Sequence, residues 1–512
     1  MAPMLEDLES KYFPPGPFLG TPHSADTMVT PHVDGDAFFA AIARVLDTCE
    51  GPGDRIYICS WFLDPDIVLP LPSEAEPVDL GAILADKAGK GADVRVIGAA
   101  ARFAIPGPWT NIGGALPSLL AYLTAVEDAP LACIRAARRL RAAVRDNETP
   151  LQGRVLLDWG GFSDSRHEKS TTIYSAKTGE LHAFLGGMDY APHRQSDELH
   201  ATSWWHDAGV QLQGGAAAAV LGNFRTRWEE TVTLPAARYA LDGSRELFNP
   251  VREPSPPSLP PSTAPLPTSV PQGAYLGSSI RVGRSYDKVR ATNPWLDAPT
   301  TPWNSLPAEG VREILAVLTN AFDKAVDYIY IEDQTLNPGA GIGVYSQHDA
   351  LFGRIAAACG RGVKVLFITE GYSDAYAANL ALSGEIYRYF FLENDKNVMD
   401  HFALYYVKDT KVHSKVVIVD DEFVAVGSAN MWDRSMYGAE SELNAAIVHP
   451  GGTTSLAADL RARLWRGHLR VPPSADVDAQ LRDHQAFGLF KPAWGSGVTF
   501  DCPDSALREV RG

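Results

Sequence analysis

Cysteine is scarce in this 512-residue chain: Cys49, Cys59, Cys133, Cys359 and Cys502 are scattered, odd in number and form no C-x-x-C pair or His-Cys cluster of zinc spacing. A disulfide framework is therefore not expected. Long apolar runs are missing too. No stretch approaches the ~18 uninterrupted apolar residues of a spanning helix, and the opening MAPMLEDLESKYFPPG is acidic where a secretory leader is basic and then apolar. The expectation is a cytoplasmic protein with at most peripheral membrane contact. Positive charge is in deficit as well, 45 Lys and Arg against 62 Asp and Glu, for a net charge of -17. Nucleic-acid binding relies on Lys and Arg displacing counterions from phosphates, so this balance disfavours nucleic acid as a partner. It equally disfavours adhesion to anionic lipid, leaving apolar loops as the route to a bilayer.

What is present is an ordinary globular composition, 45% apolar and 21% charged, on a chain long enough for two or three cores. The clearest boundary is PVREPSPPSLPPSTAPLPTSVPQG, residues 250–273, where proline density forbids helix interiors and sheet ladders. It divides the chain into a lobe over 1–249 and a lobe over 274–512. The same order of elements recurs on either side. DAFFAAIARVLDTC reads as a helix, RIYICSWFL as a buried strand, and VDLGAILADKAGKGADVRVIG as helix, Gly turn and strand. VREILAVLTNAFDKA, YIYIEDQTL and HDALFGRIAAACGRGVKVLFIT repeat that series in the second half. Helices alternating with strands predict α/β lobes with mixed sheets covered on both faces. The segment from about 103 to 150, with the basic stretch ARRLRAAVRDN, has no counterpart and reads as a solvated helix face on an insertion, the alternative being recruitment of phosphate-bearing substrate.

The second half carries KVHSKVVIVDDEFVAVGSANMWDRSM, in which His413, Lys415 and Asp420 have the spacing H-x-K-x4-D and Gly427, Ser428 and Asn430 follow. On a strand, residues i and i+2 share a side, so His413 and Lys415 project together. An imidazole can attack phosphorus or protonate a leaving oxygen, while an ammonium neutralises the non-bridging oxygens. The first half offers RHEKSTTIYSAKTGELHAFLGGMD, where His167 and Lys169 repeat the pair, Gly186 to Asp189 stand where GSAN stands later, and Tyr174 occupies the acidic position. One H-x-K means little. Two, at corresponding places of a duplicated unit, indicate one shared site.

The chain at this point resembles the phospholipase D superfamily, and its details are most similar to the eukaryotic-type catalytic domain. IYICSWFLDPDIVL, LGGMDYAPHR with its arginine at 194, WWHDAGVQLQGG, RVGRSYDKV, YIYIEDQTL, the second H-x-K motif and GSANMWDRSMYGAESEL match that family's blocks in order over roughly residues 30–470. The resemblance implies an α/β fold of two similar lobes related by pseudo-twofold symmetry, an active site at the lobe interface, and no metal or other cofactor. It further implies His167 as nucleophile and His413 as acid and base, roles that near-symmetry leaves exchangeable. Lys169 and Lys415 are expected on phosphoryl oxygens, with Asn430 and Ser428 as donors, Asp420 as a supporting acid and Asp189 as a weaker supporting group. Asp207 and Glu442 occupy matching positions; they either hold a histidine's other nitrogen or form ordinary salt bridges to Arg194 or Arg434.

Trp204, Trp205, Phe224, Tyr328 and Tyr330 read as core packing, and His193, His200 and His401 have no metal-ligand spacing. The expected activity is hydrolysis or headgroup transfer on a glycerophospholipid such as phosphatidylcholine. The alternatives are the same chemistry on nucleic acid or a small soluble phosphodiester, and a non-catalytic binding protein on this fold, motivated by Tyr174. No protein partner is indicated.

Overall fold

The computed structural model describes residues 4–15, 27–100, 150–233, 239–240, 251–252, 275–286, 310–334, 349–370 and 398–509, apart from short stretches inside these ranges. The ARRLRAAVRDN stretch and the connector from 253 onward lie outside the described residues.

Two sheets carry the fold. The first contains β1 (Met28–Val33), β2 (Arg55–Ser60), β3 (Asp93–Ala100), β4 (Val155–Trp159), β5 (Ser170–Ser175), β6 (Glu180–Gly186) and β7 (Ala208–Gln213). The second contains β8 (Ser279–Tyr286), β9 (Tyr328–Asp333), β10 (Lys364–Thr369), β11 (Phe402–Val407), β12 (Val416–Val419), β13 (Phe423–Gly427) and β14 (Glu440–Val448). Their spatial orders are β1-β7-β6-β5-β2-β3-β4 and β8-β14-β13-β12-β9-β10-β11, the same permutation shifted by seven. Pair directions match as well. The first four pairings of each series are antiparallel, and the last two, which need crossover connections, are parallel. Short edge strands at Val311–Arg312 and Leu507–Glu509 extend only the second sheet.

Sequence explains why these strands are central. RIYICS, YIYIED, KVLFIT and VVIV are continuous apolar or β-branched runs rather than alternating ones, the pattern of strands covered on both faces. Helices α2 (Gly35–Asp47) and α3 (Leu80–Gly89) cover the outer face of the first sheet. Helices α5 (Glu313–Lys324) and α6 (Asp349–Gly360) cover that of the second. The inner faces, with α4 (Gly215–Thr233) and α7 (Leu456–Leu469), form one continuous core that includes the fully buried Trp228 and Trp465. Two α/β lobes with mixed sheets, repeated in topology, are therefore present. No helix among the described residues is long and apolar enough to cross a membrane.

Helix α1 (Leu5–Tyr12) departs from the sequence division at residue 249, because it docks on the second lobe. Tyr12 stacks on Phe423 with ring centroids 5.2 Å apart and donates to Glu422 at 2.8 Å, and Lys11 pairs with Glu422 at 2.7 Å. An amphipathic helix follows the apolar face that can bury it, wherever that face lies in sequence.

Asp420, expected to support the site, lies at the other end of β12, roughly 16 Å along the strand from Lys415. Its carboxylate accepts from the backbone N–H groups of Val326, Asp327 and Tyr328 at 2.8–2.9 Å, tying the β12–β13 turn to the start of β9. In the first lobe Tyr174 stands at that position, and Asp54 makes the tie from the opposite side, accepting from Ala176, Glu50 and Gly51 N–H. The aspartate of the longer motif is a fastener of the strand. Tyr174→Asp is accordingly expected to leave turnover unchanged, while Asp54→Ala lowers unfolding free energy by about 1–3 kcal/mol in denaturant titration.

A second fastener titrates. His484 bridges Asp327 at 2.6 Å and Asp421 at 2.8 Å, and the hydrogen bonds to Asp327 and Asp421 raise it to about 9 against opposing burial. With the folded value above the unfolded one, its stabilisation is complete below about pH 6.5 and disappears as pH rises through about 9. Melting curves of His484→Gln are expected to show a deficit at pH 6 that closes by pH 10; equal deficits at both would exclude the linkage.

Candidate active site

The two H-x-K motifs meet where the lobes meet. Each enters through a two-residue parallel bridge to the other lobe: Ser165–Arg166 pairs with Glu440–Ser441, and Lys411–Val412 pairs with Trp205–His206. The ladders continue for one bond each, His167 N–H to Ser441 O at 3.2 Å and His413 N–H to His206 O at 2.8 Å. The next residue on each partner strand is a carboxylate. Glu442 therefore faces His167, and Asp207 faces His413.

The contacts are direct and crossed. His167 Nδ1 lies 3.0 and 3.1 Å from the Glu442 oxygens, and His413 Nδ1 lies 2.7 Å from Asp207 Oδ2. A carboxylate on Nδ1 places the proton there and leaves Nε2 for a reacting atom. Of the two alternatives the sequence left open, the geometry favours histidine: Arg194 pairs with Asp189 at 3.5 Å and Arg434 with Glu440 at 3.0 Å. Glu442 is further held by the hydroxyls of Ser428 and Ser435, both at 2.6 Å. Gly187, the counterpart of Ser428, makes room for the other dyad, since a Cβ there would fall 2.2 Å from Asp207 Oδ1.

Lys169 and Lys415 are nearly inaccessible, and each ammonium donates to the carbonyl of its own motif histidine. Lys169 also lies 3.5 Å from Asp189, and Lys415 lies 3.4 Å from Gln334 Oε1. Asp189 accepts from Ser60 Oγ and Phe62 N–H, both at 2.9 Å, so it braces the end of β2 and counters Lys169. At the matching places of the second lobe the groups are exchanged: Asp333 replaces Ser60 and accepts from Met431 N–H at 2.8 Å, while Asn430 replaces Asp189. Asn430 is buried, and its Oδ1 has no hydrogen-bond partner.

The field is cationic around His413. Burial, then Lys415, Arg194, Lys169 and Lys411, hold its imidazole well below the usual histidine range. Burial lowers Lys415 to about 8, against Asp207 and Asp333. Asp207 is raised by burial while Lys415 and Arg194 oppose the rise. Glu440 is brought to about 2: burial alone would raise it, but Arg434 and His167 prevail.

Trp205, Phe224, Tyr328 and Tyr330 are buried as expected of core, yet Trp205 also borders the site. Its ring lies 5.0 Å from that of His413 and carries Arg194 at 3.3 Å on its face. Sequence reasoning overlooked Glu332, buried beneath the motif, which accepts from Ser414 Oγ and contacts His206 Nε2 at 2.9 Å. The run YIYIED held the clue, an acid ending an otherwise apolar strand.

The family model described as "Cardiolipin synthase, PLD-like domain" matches residues 318–465. Among curated proteins, the chain is 23% identical over 494 residues to phospholipase D A of Dictyostelium discoideum, covering 86% of this chain and 35% of that protein. It is 24% identical over 536 residues to phospholipase D alpha 4 of Arabidopsis thaliana, covering 84% of this chain and 64% of that protein. The chain thus spans less than two thirds of the length of either relative. Among solved structures, phosphatidylserine synthase of Haemophilus influenzae aligns with a TM-score of 0.47 at 13% identity, covering 91% of this chain and 94% of the other. With the ordered sequence blocks and the paired motifs, the family match over residues 318–465 and the two curated relatives support membership of the phospholipase D superfamily.

Proposed function

We propose that the protein is a phospholipase D-type phosphodiesterase and phosphatidyltransferase that cleaves the distal phosphodiester bond of a glycerophospholipid such as phosphatidylcholine. The observation that carries this reading is the pair of crossed imidazole–carboxylate dyads, each beside a buried lysine. The names of the curated relatives favour a phospholipid over other phosphodiesters, and the net charge of -17 disfavours nucleic acid.

In the proposed reaction, His167 Nε2 attacks phosphorus, an N–P bond forms and the bond to the headgroup oxygen breaks. His413 gives its Nε2 proton to that oxygen, so the alcohol leaves neutral. His413 then takes a proton from water or an acceptor alcohol, whose oxygen attacks phosphorus and breaks the N–P bond. Lys169 and Lys415 balance the charge of the phosphoryl oxygens throughout. The cations that hold His413 deprotonated are offset once a phosphodiester monoanion lies between the lysines, which permits its acid role. No step is routed through a metal.

Incubation with phosphatidylcholine vesicles and dilute ethanol is expected to give phosphatidate and phosphatidylethanol, the second product reporting partition of a covalent intermediate. His167→Ala and His413→Ala are each expected to lower turnover by about 10³-fold or more. Acid-free quenching and mass spectrometry should find phosphate on His167; phosphate on His413 instead would reverse the assignment. Absence of both lipid products with activity on a soluble diester would move the substrate, not the chemistry.

Asp207→Asn and Glu442→Gln test the crossing itself. Each should lower kcat by about 10²-fold or more with little change in KM, because the histidine stays but loses its tautomer control. Near-normal kcat in both would remove the dyads from the mechanism.

A further inference from the structure

Behind the His413–Asp207 dyad lies a second group of imidazoles and carboxylates that the proposed reaction does not use. It gathers Asp34 from the end of β1, His200 from the loop before the Trp205–His206 bridge, His206 from that bridge, Glu332 from β9 and His468 from α7. One ligand atom each from Asp34, His200 and His206 lies within 4.8 Å of the others. The side chains of Asp34 and His206 are fully buried, and that of His200 is 1% exposed.

We propose that Asp34, His200 and His206 form a structural site for a zinc-class divalent ion. Asp34 Oδ2 and both ring nitrogens of His200 are buried without a hydrogen-bond partner. Leaving such atoms dry and unpaired is costly, and an ion satisfies them together. His206 Nδ1 is 3.1 Å from Asp34 Oδ1, and His200 Nδ1 is 3.7 Å from Asp34 Oδ2. Ligand atoms about 2.0–2.1 Å from one tetrahedral ion stand about 3.3 Å apart, so small side-chain rotations bring the three into its shell.

The surroundings fit a ligand histidine. His206 Nε2 is 2.9 Å from Glu332 Oε2, the outer carboxylate that commonly fixes the tautomer of a metal-bound imidazole. Glu332 Oε1 is steadied in turn by His468 Nε2 at 2.8 Å. Charge agrees as well. A dication balances Asp34 and Glu332 with all three imidazoles neutral, whereas an imidazolium at position 206 between the same two carboxylates leaves both His200 nitrogens without a hydrogen bond. Two imidazoles and one carboxylate suit zinc better than calcium or magnesium, which prefer all-oxygen shells.

Burial assigns the ion a structural role. It anchors the backbone at His206, whose carbonyl receives His413 N–H and whose neighbour Asp207 orients that ring. The inference stands apart from the proposed reaction, since metal content is read without any substrate.

The test is elemental analysis of the full chain expressed with zinc and freed of loose metal by gel filtration. About one zinc per chain is expected in the wild type. His200→Asn keeps a residue suited to the positive φ of 57° while removing the imidazole, and it should lower retained zinc at least tenfold. Asp34→Asn should do the same. Zinc should also raise the melting temperature of the stripped wild type but not of His200→Asn. A wild type that retains no zinc after expression with it, or a His200→Asn protein that retains as much as the wild type, would overturn the site. The latter would also place any bound ion elsewhere, as at His167, Glu440 and Glu442.

Discussion

Each candidate reactive imidazole is oriented by a carboxylate from the other half of the chain, and the surrounding architecture follows from that exchange. For Asp207 to reach His413 and Glu442 to reach His167, the strands before the four residues must run side by side across the boundary. The two-residue bridges at 165–166 with 440–441 and at 205–206 with 411–412 supply that alignment. Such short bridges are weak alone. They are held because the inner faces of both sheets and helices α4 and α7 share one core, so opening the lobes exposes a large apolar area.

That packing carries an electrostatic load. Two lysines, Arg194 and two histidines are gathered where water is largely excluded, and unpaired charges there would be expensive. The compensation is local: Asp189 faces Lys169 and Arg194, while Asp207 and Asp333 act on Lys415. The proposed reaction sets both lysines on phosphoryl oxygens, and their attachment to the carbonyls of 167 and 413 stiffens the strands that carry the histidines.

The H-x-K pairs were legible in the sequence because side chains two apart on a strand share a face, a rule that needs no tertiary information. The duplicated topology was legible too, since helix, strand, Gly turn and strand recur in order on both sides of residues 250–273. Asp207 and Glu442 could be matched by position but not connected to a particular histidine. Their bonds span 206 and 275 residues and cross between lobes, which no local pattern encodes. Asp420 misled for a related reason, because its fixed spacing from Lys415 reflects the length of β12 and not proximity to the site. His200 gave no metal-like spacing, and its approach with His206 to Asp34 exists only once β1 lies against β7.

The halves are similar in topology but complementary in chemistry. Asp54 does in one lobe what Asp420 does in the other, from opposite ends of the same junction. Ser60 with Asp189 is answered by Asp333 with Asn430, the carboxylate having moved to the facing strand. Gly187 leaves space for one dyad where Ser428 donates to the other. Such exchanges make the two sides of the site unequal, as the proposed division between attack and proton transfer requires. Neither lobe holds a complete dyad, so correct docking of one half on the other is a condition of the proposed chemistry, and residues that secure the interface matter to it as much as those proposed to touch substrate.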